Sequence, residues 1–437
     1  MSFRPLTPRM RQIPPRRSAV LSVVDVGASK IVCMIARLTP MERGETLRGR
    51  THRCKVLGLG HQRSQGVKGG AIVDLDSAEG AIRLAIDAAE RMAGAEVQSV
   101  IVNMSGGRLS SQTLTAKIGV RGRAVGDYEV HRVIEAASAA SEQPGRAALH
   151  AIAAGFRLDA QCHVRDPRGM LGDELGAELA VASCDAAAAR NLMLAIERCH
   201  LKVEAMVASP YASGLSTLVD DEAELGAALV DFGGGSTSIA VFVGDRLAHV
   251  DAVAVGGNHV TMDVARGLSV SLADAERLKT LHGACIASPS DDRETVAVRR
   301  AGDDSDHPSY LPKSEIVRII RPRVEEILEL VRDRLENAGL SALAGRRLVL
   351  TGGASQLTGL PELARTIVSP QARLGRPLGV EGLPESAKSP AFATSVGLLI
   401  YPQMAGLEHF EPRRTQNPAT QDNGYVARVG RWLKQSF

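Results

Sequence analysis

One short pattern occurs twice, and this repeat limits what the chain can fold into more than any other feature does. In residues 19–38 (AVLSVVDVGASKIVCMIARL) a β-rich run ends in Asp25-Val26-Gly27 and a second β-rich run follows; residues 224–257 do the same around Asp231-Phe232-Gly233. Each reads as a hairpin, with a carboxylate at the strand end and a turn whose backbone N–H groups can face a phosphate. The first turn is Gly27-Ala28-Ser29-Lys30. The second is Gly233-Gly234-Gly235-Ser236-Thr237, and its three glycines permit close backbone approach to a ligand. Further on, Leu348-Val349-Leu350 leads into Thr351-Gly352-Gly353-Ala354, a buried strand and a Gly-Gly turn before a helix, suited to packing backbone against a nucleotide. The conjunction predicts two related halves around one cleft, with Asp25 and Asp231 both facing it.

The rest of the chain reads as strands and helices in alternation, within a length of 437 residues that allows roughly two to four domains. Residues 1–18, rich in Arg and Pro, read as a disordered basic tail. Residues 77–93 and 185–200 carry apolar groups at helical spacing. Short apolar runs with one helix at 127–140 suggest a small α+β insertion, placed at 97–178. Helices are expected at about 258–268, 271–282 and 313–337, with a polar loop or short hairpin between the last two. The first domain is thus expected over 19–96, 179–218 and 385–407. The second covers 219–258 and 340–384, with an outer subdomain at 259–339. Residues 408–424 have linker composition.

Composition removes several classes. Hydrophobic residues make up 44 % and charged residues 23 %, which excludes wholesale disorder. The net charge of +3 has its basic excess at the two ends, so a nucleic-acid partner is not expected. Six cysteines lie far apart without ligand spacing and read as reduced thiols. No apolar run is long enough for a membrane span or a signal peptide, so neither spanning nor secretion is expected. Asp231-Phe232-Gly233 mimics a kinase motif, but no glycine-rich loop or HRD segment precedes it. Walker A, Rossmann and HExxH patterns are absent.

Taken together, the hairpins and the TGG turn resemble the actin-type ATPase superfamily, and further blocks narrow the resemblance to the FtsA family of bacterial cell-division actin homologues. Those blocks are AIERCHLKVEAMVASPYASG, ELGAALVDFGGGSTSIAVF, GGNHVTMDVARGL, LADAERLKTLHG, VLTGGASQLTGLPELA and the terminal RWLKQSF, in order along nearly the whole chain. The resemblance implies an α/β, actin-like two-domain fold with a nucleotide cleft, an FtsA-type subdomain inserted in the first domain at a displaced position, and a C-terminal amphipathic helix. It implies ATP, with Asp25 and Asp231 acting on Mg²⁺ through water, and Glu276 and Lys279 on the ribose and adenine. Hydrolytic relatives carry Glu or Gln near the position of Ser209 to orient water; serine there implies weak or absent ATPase activity. The implied partners are the FtsZ C-terminal tail, contacted by Arg318, Ile319 and Arg323, together with other copies of the chain, an anionic membrane and downstream division proteins. The implied location is the cytoplasmic face of the inner membrane at the division site. A metabolite kinase of the same superfold would need a carboxylate base in the cleft, and none is identifiable. A pilus-assembly scaffold of the fold is the other alternative, which the terminal helix disfavours.

That terminal segment carries its own signal. At 100° per residue, Tyr425, Val426, Val429, Trp432, Leu433 and Phe437 fall within an arc of roughly 140°, with Arg428, Arg431 and Lys434 opposite. Behind a polar linker, this pattern reads as a membrane-surface helix.

Overall fold

The computed structural model describes residues 7–10, 12–41, 50–139, 143–300, 309–340 and 347–408. Two five-stranded sheets repeat one topology. In the first, the hairpin Ala19–Val26 and Lys30–Pro40 continues antiparallel to His52–Arg63, while Ala19–Val26 is flanked on its other side by parallel strands Ser99–Met104 and Lys202–Ala208. In the second, Ala227–Phe232 and Thr237–Val243 continue antiparallel to Arg246–Val253, and Ala227–Phe232 is flanked by parallel strands Arg347–Thr351 and Gln371–Leu374. The duplication expected from the repeated Asp-x-Gly pattern is therefore a duplication of whole sheets.

Central strands covered on both faces lose the alternation of a half-exposed strand. All of Ala227–Phe232 is buried, which is why AALVDF reads as an unbroken apolar run apart from its aspartate. On the first sheet lies the helix Leu75–Ala93, burying Ala78, Ala81, Ile82, Ala85, Ile86 and Ala89. The Asp74 carboxylate accepts from the N–H groups of Asp76 and Ser77 and starts that helix; Gly94 in the left-handed region ends it. Its close seat on the sheet depends on Gly60, where a Cβ would fall 1.8 Å from the Ala85 carbonyl oxygen.

Between the halves two helices cross, Ser209–Thr217 and Ala393–Met404. A Cβ on Gly397 would sit 1.7 Å from the Ala212 carbonyl oxygen, so the backbones touch directly. The outer subdomain comprises helices Gly257–Leu268, Leu272–His282 and Lys313–Asn337, with a short hairpin of Thr295–Val298 and Ser309–Pro312. The long helix runs through Pro322.

Two expectations require correction. Strand Ser99–Met104, expected within the insertion, pairs with Ala19–Val26 and Lys202–Ala208 and belongs to the first sheet. The inserted sheet consists of Ser110–Ala124, Leu171–Asp185, Arg146–Leu158 and Gln161–Val164, with helix Asp127–Ala139 on it. It therefore begins after residue 104 and ends at 185, later at both ends than 97–178. Nor are residues 7–10 and 12–18 a free tail. Thr7 is buried and its hydroxyl donates to the Ala148 carbonyl at 2.6 Å, the Pro8 carbonyl accepts from Met206 N–H, and Ile13 N–H donates to the Pro402 carbonyl. The arm is hydrogen-bonded to three separate elements, twice through backbone and once through the Thr7 hydroxyl, compensation that composition does not reveal.

Candidate functional site

A cleft of about 520 Å³ opens between the two sheets. Gly27, Ala28, Ser29 and Lys30 line it from the first hairpin, Gly233, Gly234, Gly235 and Ser236 from the second, and Gly352, Gly353 and Ala354 from the TGG turn. Asp25, Asp231, Glu276 and Lys279 line it as well. Thr237 stands outside, buried, with its hydroxyl donating to the Val255 carbonyl at 2.8 Å.

At its floor the hairpins meet. A Cβ on Gly235 would lie 2.8 Å from Ala28 Cβ, and one on Gly234 would lie 3.0 Å from Ser29 Cβ, so the second hairpin abuts the first through glycine backbone. The Ser236 hydroxyl donates to the Ser105 carbonyl at 3.2 Å, tying the second half to the loop that enters the insertion. Gly352 is demanded twice. Its φ of 87° and ψ of 165° belong to a region that is essentially glycine-only, and a Cβ there would fall 2.3 Å from Asp231 Oδ1.

Both aspartates are buried and held by hydroxyls. Ser395 donates to Asp25 Oδ2 at 2.7 Å; Ser213 and Thr394 donate to Asp231 Oδ2 at 2.7 and 3.0 Å. Burial pushes the Asp25 carboxyl up to about 6, against the Ser395 hydrogen bond and the charge of Lys30, while Asp231 adds to the rise. Burial likewise raises Asp231, opposed by Ser213, Thr394 and Lys30. Lys30 is pushed down to about 8 by its own burial, with both aspartates resisting, and its Nζ lies 3.4 Å from the centre of the Phe392 ring.

On the outer-subdomain side, Lys279 Nζ donates to Glu276 Oε2 at 2.7 Å, to the Thr261 hydroxyl at 2.8 Å and to the Gly257 carbonyl at 3.2 Å. Burial works to raise the Glu276 carboxyl, yet Lys279 and the hydrogen bonds from Lys279 and Thr261 together hold it below its ordinary value. Ser209 is buried beside the aspartates and accepts from Asn103 Nδ2 at 3.0 Å, while Asn103 Oδ1 accepts from Val26 N–H at 2.6 Å. Sequence reading missed Asn103, Ser213, Thr394 and Ser395. Only Thr394-Ser395, hydroxyls at the start of an apolar helix, left a readable trace.

The donor set fits a nucleotide with its cation. Glycine backbone from both halves leaves a cradle that any side chain would fill, and two buried carboxylates compensated mainly by hydroxyls favour an added positive charge. Among the described residues no group of three or more His, Cys, Asp or Glu could hold a metal ion by itself. A divalent cation here would thus rest on the two aspartates, water and phosphate oxygens, as Mg²⁺ commonly does.

Three other expected contact residues do not line the cleft. Arg318, Ile319 and Arg323 sit on the helix Lys313–Asn337. Arg318 is exposed and pairs with Glu315 at 3.1 Å, and Ile319 packs where Gly267 leaves room. Arg323 is engaged by Asp263 at 2.5 Å and by Glu326. Tyr425, Val426, Arg428, Val429, Arg431, Trp432, Leu433, Lys434 and Phe437 lie outside the described residues. Among the described residues no helix is long and apolar enough to cross a membrane.

Known proteins match this arrangement. The family described as "Cell division protein FtsA" matches residues 228–397, and that described as "SHS2 domain inserted in FTSA" matches residues 106–183, the inserted sheet. The chain is 51% identical over 432 residues to the cell division protein FtsA of Agrobacterium fabrum, covering 98% of each chain. With the FtsA of Escherichia coli K12 the identity is 30% over 424 residues, covering 95% of this chain and 97% of that one. Among solved structures, a PilM-PilN type IV pilus biogenesis complex is similar at TM-score 0.59 and 17% identity, covering 88% of this chain and 98% of that one. MreB5 of Spiroplasma citri bound to ADP is similar at TM-score 0.52 and 13% identity, covering 90% and 98%. These solved structures share the actin-like fold. From the matching inserted domain and the extent of identity to curated relatives, the chain belongs to the FtsA family of cell division proteins.

Proposed function

We propose that this chain is an ATP-binding scaffold that polymerises on the cytoplasmic face of the inner membrane, anchors FtsZ filaments there and helps recruit the division machinery. The observation that carries this reading is the pair Asp25 and Asp231, supplied by the two halves and clasped by adjacent hydroxyls of one helix. A ligand touching both hairpins stabilises the closed cleft by mass action and so favours the geometry used in assembly. Bound Mg²⁺ would neutralise phosphate charge. The protein's share is to cradle phosphates with the backbone of Gly27–Lys30 and Gly233–Ser236, to present two carboxylates to the cation's water shell, and to offer Glu276 and Lys279 to the ribose and adenine. Ser209, hydrogen-bonded to a neutral amide, supplies no carboxylate to activate water. The nucleotide therefore acts chiefly as a structural ligand.

Membrane attachment falls to residues 425–437. Three basic residues contribute about 1 kcal/mol each at an anionic surface, and partial burial of Trp432, Leu433 and Phe437 adds several more. Ordering the backbone consumes about 1 to 2 kcal/mol per residue. One segment is thus a weak anchor, and a polymer carrying many is a strong one. Co-sedimentation with anionic vesicles, with and without FtsZ filaments, tests the reading: ATP-dependent pelleting that carries FtsZ along is expected, and pelleting that survives deletion of 425–437 contradicts the assignment of the anchor.

A further inference from the structure

The side-chain amide of Asn103 has one workable orientation. Its Oδ1 lies 2.6 Å from the backbone nitrogen of Val26, a group that can only donate, so the oxygen faces that strand and Nδ2 faces Ser209 at 3.0 Å. An amide nitrogen also only donates, which makes the Ser209 oxygen the acceptor. The hydroxyl hydrogen of Ser209 is left over, and it has no acceptor among the described residues. Other hydroxyls around the cleft are committed to the protein: Ser213 and Thr394 donate to Asp231, Ser395 to Asp25 and Ser236 to the Ser105 carbonyl. Asn103 and Ser209 both line the nucleotide cleft, yet they are only 2% and 3% exposed. A buried donor without a partner is costly. The partner of this one has to come from the cleft.

The pair stands where the phosphate-facing elements converge. Val26 lies between Asp25 and Gly27, so Asn103 is tied to the first hairpin at its carboxylate. Ser209 opens the helix Ser209–Thr217, and Ser213, one turn further on, donates to Asp231. The free hydrogen is thus on the side of the two aspartates, whereas Glu276 and Lys279 belong to the outer-subdomain side of the same cleft. A nucleotide with its base toward Glu276 and Lys279, and its phosphates along the glycine backbone, brings the last phosphate toward Ser209. A carboxylate at this position would repel that phosphate, while a hydroxyl hydrogen attracts it.

We infer that Ser209 donates its hydroxyl to the terminal phosphate of a nucleoside triphosphate, with Asn103 as the positioning residue that turns the hydrogen toward the cleft, and that the pair selects ATP over ADP. The inference rests on the nucleotide reading proposed above. Backbone turns grip whichever phosphates are present, so an assembly that depends on ATP needs a further group to tell three phosphates from two. A hydrogen bond to a charged acceptor is among the stronger ones, and its loss is worth about tenfold or more in affinity. With ADP bound, the same hydrogen meets only water.

Equilibrium binding of ADP and of adenylyl imidodiphosphate, a triphosphate that is not hydrolysed, each with Mg²⁺ and the full-length protein, gives the ratio that tests this. The unaltered chain should prefer the triphosphate, and Ser209→Ala should reduce that preference by about tenfold. Ser209→Cys, close to serine in size but a weak donor, should follow the alanine variant. Lost packing, or an Asn103 amide left unpaired, acts on both nucleotides alike and leaves the ratio where it was. Asn103→Ala should lower the ratio when Ser209 is present and leave it unchanged when added to Ser209→Ala, because Asn103 acts through that hydroxyl. Circular dichroism checks that each variant folds. A ratio unaltered in both folded Ser209 variants overturns the inference while the nucleotide reading stands. An Asn103→Ala effect of equal size in both backgrounds overturns the positioning role. If the unaltered chain binds neither nucleotide, the nucleotide reading fails and the inference with it.

Discussion

Ser395 and Asp25 are 370 residues apart in sequence, yet the serine hydroxyl donates to the aspartate at 2.7 Å, and its neighbour Thr394 reaches Asp231 of the other half at 3.0 Å. One turn at the start of the helix Ala393–Met404 thereby holds both carboxylates of the cleft. The positive end of that helix faces the same pair. These contacts offset part of what burial costs the two acids, and the remaining cost is measurable.

That cost sets a pH dependence. Asp25 rises from 3.8 to about 6 on folding, so its neutral form contributes stability that is complete below 3.8 and lost as pH rises through 6. Asp25→Asn stays neutral throughout. In ligand-free protein it should exceed the unaltered chain in stability at pH 8, by on the order of 3 kcal/mol, with the gap closing between pH 6 and 4. Urea denaturation at pH 8 and pH 4.5 measures this, and equal midpoints at pH 8 contradict it.

Gly352→Ala should be damaging out of proportion to one methyl group. The backbone conformation costs about 1 to 3 kcal/mol for a residue other than glycine, and the new Cβ would press on Asp231 Oδ1. Loss of that stability, with nucleotide affinity reduced at least tenfold, is the expected result of denaturation and binding measurements. Gly353→Ala provides the control for the stability loss alone, because a Cβ there meets only Ala391 Cβ among protein atoms, at 3.8 Å.

Turnover should be slow because Ser209, tied to Asn103, brings no carboxylate of its own to activate water. Steady hydrolysis by purified protein is expected far below the roughly 10 s⁻¹ typical of enzymes. A rate near that value would mean that another group activates water.

For the FtsZ tail, the structure separates Arg318 from Arg323. Arg323 is tied to Asp263 and Glu326, so Arg323→Glu would place like charges together and disturb the subdomain itself. Arg318 is exposed, and its partner Glu315 is an exposed neighbour on the same helix. Arg318→Glu should weaken binding of the FtsZ C-terminal peptide several-fold with unfolding unchanged, as titration of a labelled peptide would show. Unaltered affinity removes this helix as the docking face.

That the two hairpins and the TGG turn line one cleft was legible in the sequence, because glycine turns stand out and strand-end aspartates interrupt otherwise apolar runs. Asp25, Asp231, Gly235 and Gly352 were placed in the cleft that way. Ser213, Thr394 and Ser395 were not, since a helix hydroxyl that holds a carboxylate 18, 163 or 370 residues away looks like any other helix hydroxyl in sequence. Strand Ser99–Met104 was placed in the wrong domain because SVIVNM reveals its β character but not which sheet it joins. The arm at residues 7–10 and 12–18 was read as free because its composition is that of a tail, while what holds it is a set of hydrogen bonds to distant elements.

Equilibrium binding of ATP with Mg²⁺ to the purified full-length protein, compared with the double variant Asp25→Ala, Asp231→Ala, tests the central claim most directly. Saturable one-to-one binding, weakened at least tenfold in the double variant while circular dichroism stays unchanged, is the result expected of a nucleotide held between the two hairpins. Undiminished affinity in a folded double variant would contradict it.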